Sequence, residues 1–130
     1  MKKITTKIIR ILLGMALLIF GLDKFFEFVP HNHVMTDQLI AAYEGLLANK
    51  FIMPTVGVVE AVSGILLISG RYVIVALLAM IPIAFGILGF HLAVDIEGIG
   101  PGLILSIMLT YLILTKSKII GAFIKKGDAV

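Results

Sequence analysis

The chain has 130 residues, 60% hydrophobic and 15% charged, with no cysteine and a net charge of +3 from 11 Lys and Arg against 8 Asp and Glu. A mean hydropathy of +1.13 excludes a soluble domain of this size and leaves room for about four membrane spans with short connections. The missing thiols exclude disulfides, iron-sulfur clusters, zinc-thiolate sites and a thiol relay; the cations flank apolar runs without forming a separate basic face, which excludes nucleic acid as a partner.

The first segment, MKKITTKIIRILLGMALLIFGLDKFF, begins like a secretory signal, but no small-x-small cleavage site follows and Asp23 and Lys24 interrupt it. A retained first span over residues 8–28 is predicted. The connection 29–50 has a helical apolar period at Leu39, Ile40, Tyr43, Leu46 and Leu47, with Thr36 as its cap and Met35 placed as a staple against Ile40. This predicts a short interfacial helix in the first outer loop. His31 and His33, two residues apart without a third ligand in view, do not make a metal site.

The second span, residues 51–69, carries Glu60 at the centre of an otherwise uncharged run. An ionised carboxylate at mid-bilayer costs on the order of 3 kcal/mol, so it faces protein, has a partner or is protonated. Gly57, Glu60, Ala61 and Gly64 share one helical face, along which a second helix can approach closely. Glu60 is then a protonatable group in a binding cavity or proton path, or equally a polar clasp between helices. At 1.5 Å per residue Lys24 and Glu60 differ in depth by roughly 7 Å, so a lysine stem bending inward can join them. The competing arrangement, in which Lys24 extends toward the surface and pairs with Asp23 or Glu27, is the one the sequence favours.

Gly70 and Arg71 break the chain before a third span over residues 72–94, in which Arg71 and Tyr72 read as an interfacial anchor. His91 closes this span, and Asp95 follows four residues later on the same face, where its carboxylate can fix the imidazole tautomer. The plainer alternative is a capped helix end. A bis-histidine haem site inside the bundle has no second histidine, so no haem is expected. The fourth span covers residues 101–114 and brings Ser106, Thr110 and Tyr111, whose hydroxyls either line the interior or bond back to their own helix. Pro54 and Pro101 suit first helical turns. No phosphate-binding loop or nucleophile elbow is present, so no catalytic residue is legible.

These elements make one all-α membrane domain, residues 1–130, a four-helix transmembrane bundle. With both termini cytoplasmic, only Lys24 and Lys50 of the 11 cations lie on or near the outer side, a strong positive-inside bias. Six acids, Asp23, Glu27, Asp37, Glu44, Asp95 and Glu97, gather outside.

The stretches GLDKFF, VGVVEAVSGILLISGRYV and PIAFGILGFHLAVDIEGIGPGLILSIMLTYLI, in this order and spacing, resemble the DoxX-like family of small four-span bacterial membrane proteins. The resemblance implies a multi-pass protein of the bacterial inner membrane in a redox-linked or quinone-linked setting, with Lys24, Glu60, Arg71 and His91 matching the family's polar pattern. The family is named for a membrane subunit of a thiosulfate:quinone oxidoreductase, but six outer acids repel an anion such as thiosulfate. The expected molecule is a subunit of a redox-associated assembly, with a protein partner or second copy. A quinone-type or other small ligand is expected in the outer half, near Glu60, Lys24, His91 and Asp95; the alternative is a non-catalytic scaffold whose polar cluster is structural.

Overall fold

In the computed structural model the described residues are 1–30 and 34–128, so His31 and His33 lie outside them. Five α-helices follow in order: α1 (Lys2–Phe26), α2 (Asp37–Ala48), α3 (Ile52–Ser69), α4 (Val73–Val94) and α5 (Gly100–Gly127), with a 3-10 turn at Ile96–Ile99 before α5. The described residues contain no strand. α1, α3, α4 and α5 are each long and apolar enough to cross a bilayer.

The four long helices form a ring, α1 against α3, α3 against α4, α4 against α5, and α5 back against α1, with the α1–α3 seam the most extensive. Each helix turns its apolar side chains both ways. On α1, Leu13 and Leu17 are buried while Ile8, Leu12, Met15, Ile19 and Leu22 stand exposed, as side chains facing lipid do. The buried apolar cluster joins Leu13 and Leu17 to Leu67, Leu77, Met80 and Leu112. It fills the half of the bundle nearer the termini, where α3 ends and α4 begins.

The helix boundaries follow local chemistry. Glu27, in the left-handed region at φ 49°, ends α1 and donates its N–H to the Asp23 carbonyl. Thr36 caps α2 as the sequence predicts, its hydroxyl accepting from Leu39 N at 3.2 Å. Asn49, which the sequence reading passed over, accepts from Phe51 N and Ile52 N through its side-chain oxygen and so starts α3. Pro54 and Pro101 both sit in first turns, while α4 continues through Pro82.

α1 and α5 are longer than the spans predicted from hydropathy, because a charge ends a span without ending a helix. Lysine is a good helix former, so α5 runs through Lys116 and Lys118 to Gly127, with Ile120 buried on the way. α2 packs against α3 and α4 by one buried side chain, Leu39. Its Tyr43 phenol is pushed above the ordinary tyrosine range by burial first, then by the Glu27 and Asp23 carboxylates.

Candidate functional site

Glycines bring α1 and α3 together. A Cβ on Gly21 would stand 2.5 Å from Ala61 N, and one on Gly64 would stand 2.6 Å from Gly14 O and 2.7 Å from Leu18 N. These obstacles are backbone atoms, so no side-chain rotation relieves them. The two backbones are as close as helices come, along the small-residue face that the sequence predicts for α3.

That close approach sets the reach of Lys24, one turn after Gly21. Its Cβ lies 3.1 Å from where a Cβ on Gly57 would be, so the stem starts against α3. The ammonium then donates to Glu60 Oε2 at 2.5 Å and to the Phe20 carbonyl at 3.3 Å. Phe20 lies one turn back along α1, so the side chain folds into the bundle instead of extending toward the surface. This corrects the local arrangement favoured from sequence. Asp23 accepts from Val29 N at 2.7 Å and shapes the chain leaving α1.

Glu60 keeps 1% of its exposure and Lys24 keeps 17%. The carboxylate is sealed; the lysine side chain is only partly buried. An ammonium has three donors, and Phe20 O and Glu60 Oε2 take two of them. Ser63, one turn beyond Glu60, is the other buried polar side chain and was not singled out from sequence, although its i+3 spacing from Glu60 puts it on the same face.

His91 belongs to a second pair. Its Nδ1 lies 2.9 Å from Asp95 Oδ2, as the four-residue spacing predicts, and 3.3 Å from the Asp95 carbonyl, leaving Nε2 as the other ring nitrogen. Asp95 also accepts from Gly98 N and so caps the 3-10 turn, while the imidazole bonds both the Asp95 carboxylate and the carbonyl of its own chain. The ring stands edge-on to Phe90. A Cβ on Gly102, in the first turn of α5, would stand 3.9 Å from His91 Cδ2, so His91 lies in the α4–α5 seam. No hydrogen bond among the described residues links it to Lys24 or Glu60. The three groups expected around one cavity are thus two pairs in two seams.

The hydroxyls of α5 divide. Ser106 and Thr110 bond back to the Gly102 and Ser106 carbonyls at 2.8 Å, and Ser106 also lines a small cavity of about 10 Å³ among Leu13, Leu17, Met80 and Leu109. That space holds one water at most, and its walls are almost wholly apolar. Tyr111 meets the Thr6 hydroxyl at 3.3 Å across the α1–α5 seam. An open groove of about 270 Å³ lies on α3 at Pro54, Thr55, Val58 and Val59. Neither space is lined by Lys24, Glu60 or His91.

Four apolar helices in a ring, with a lysine–glutamate pair in the α1–α3 seam, define a small multi-pass membrane protein. The chain belongs to the DoxX family, whose profile matches residues 5–92. The match takes in Lys24, Glu60, Arg71 and His91 and stops before Asp95 and α5, so the likeness drawn from the fourth span lies beyond it. No curated protein and no solved structure matches the chain.

Proposed function

We propose that this protein is an integral membrane subunit of a redox-associated assembly in the bacterial inner membrane, with both termini cytoplasmic. In this reading the Lys24–Glu60 pair receives a quinone-type headgroup or another small ligand with a carbonyl oxygen. The observation that carries it is the asymmetry of the pair: a sealed carboxylate beside a partly exposed lysine side chain whose ammonium has a third donor. A carbonyl oxygen can accept that donor without breaking the pair. Stability alone is a weak reason for such a pair, because apolar replacements of buried ion pairs often cost nothing. Ionisable groups inside spans mark ligand and proton paths instead. His91 and Asp95, in the neighbouring seam, stand as a second proton-handling pair. The redox setting comes from the family.

A structural clasp is the second reading, favoured by the glycine contacts that close the α1–α3 seam and by the position of both cavities away from the pair. Thermal unfolding of the purified protein with decylubiquinone separates the two. The ligand reading expects the midpoint to rise with quinone in the wild type and the rise to vanish in Lys24→Met while that variant stays folded. Absence of any quinone effect, with no quinone retained on purification, leaves the clasp.

A further inference from the structure

The opposite end of the bundle holds a cation that the Lys24–Glu60 site does not explain. Arg10 lies about 21 Å from Lys24 along α1. Its guanidinium lies over Gly70, the left-handed residue that ends α3 at φ 75°; a Cβ there would collide with Nη1 and stand 3.1 Å from Cζ and 3.2 Å from Nη2. Glycine at position 70 therefore serves both the turn and the seating of this side chain.

Arg10 Nε is buried and has no hydrogen-bond partner, and among the described residues Arg10 makes no ion pair. A guanidinium donor out of water without an acceptor is costly, more so for being charged. At the nearby helix end the Leu66 carbonyl already accepts from Gly70 N and from the Ser69 hydroxyl, and Arg10 Nε reaches none of the α3 carbonyls. Arg71 follows directly on Gly70, and Lys7 lies one turn before Arg10 on α1. Asp128 is the one acid the sequence places on this side. One guanidinium thus lies over Gly70 and a second belongs to the exposed residue that follows it, with no ion pair to either among the described residues.

We propose that the Arg10–Gly70–Arg71 corner binds the phosphate of an anionic phospholipid headgroup. A guanidinium presents a planar fork of donors that matches a phosphate, and the exposed Arg71 at the same turn adds a second cation within reach of one phosphodiester. The corner lies where α3 turns into α4, at the level where headgroups meet the ends of spans, and basic pockets between spans are suited to such headgroups. Tyr72, left-handed at φ 53° and largely exposed, is the aromatic group that this interface favours.

The test uses the full chain in neutral detergent with three additions: phosphatidylglycerol, phosphatidylcholine with the same acyl chains, and inorganic phosphate. Thermal midpoints and the lipid retained in native mass spectrometry are read together. Phosphatidylglycerol is expected to raise the midpoint and be retained, with the other two much weaker. Arg10→Gln should weaken phosphatidylglycerol binding by at least about tenfold. Arg71→Gln, at an exposed residue that does not threaten folding, should weaken it by about fivefold and carries the test if Arg10→Gln does not fold. Lys3→Gln removes the same charge from an exposed position and should have little effect. Equal stabilisation by phosphatidylcholine, or an equal loss in Lys3→Gln, overturns the site; an equal effect of inorganic phosphate overturns the lipid as its occupant.

Discussion

Lys24 reaches Glu60 because its stem folds back along α1 and its ammonium finds both the Phe20 carbonyl and the carboxylate. Sequence distance and depth left two arrangements open, and the surface-directed one was preferred because lysines near span ends snorkel. The inward one is realised because Gly57 leaves no side chain between the Lys24 stem and α3. The two charges depend on each other. Lys24→Met or Glu60→Gln alone is expected to destabilise by about 3 kcal/mol, since each leaves a buried charge without its counterpart. The double variant should cost no more than either single variant alone, giving a coupling of about 3 kcal/mol in a double-mutant cycle read by unfolding in mixed micelles. Additive losses would remove the pair as an energetic unit.

Among elements, the α1–α3 seam decides the geometry. Its glycines were legible as a stripe on α3, but their partners on α1, Gly14 and Gly21, become visible only when the two helices are set antiparallel. Gly64→Ala places a methyl group against Gly14 O and Leu18 N and should cost about 1–3 kcal/mol by forcing the backbones apart. Gly121→Ala, where nothing lies within 4 Å, is the control and should be neutral or slightly stabilising by removing a helical glycine. Comparison of their unfolding midpoints checks the seam directly. The ends of α2 and α3 follow the same rule of local chemistry: Thr36 was found as a cap by its position before an apolar period. Asn49 was missed, although an Asn just before an apolar run carries the same signal.

At the scale of the whole molecule, the start of α1 and the end of α5 fall at one end of the bundle, and α2 lies at the other. The absence of native cysteine makes the proposed orientation directly measurable. Glu44→Cys on α2 should react with an impermeant maleimide in intact cells, whereas Lys118→Cys should react only after the membrane is opened; both positions are exposed in the fold. The reverse pattern would invert the topology.

Legible in the sequence were the membrane class, the four apolar helices, the loop helix with its Thr36 cap, the DoxX likeness and the isolation of Glu60 inside a span, since hydropathy, capping and a lone charge in an apolar run are local properties. The sequence also placed His91 beside Asp95, because four residues along a helix is a fixed displacement. Which seam each group enters was not local. The tertiary structure alone decided that Lys24 turns inward to Glu60, that His91 lies apart from them between α4 and α5, and that Arg10 settles over Gly70. Each depends on how closely two backbones pass, and that distance is set jointly by residues far apart in the chain.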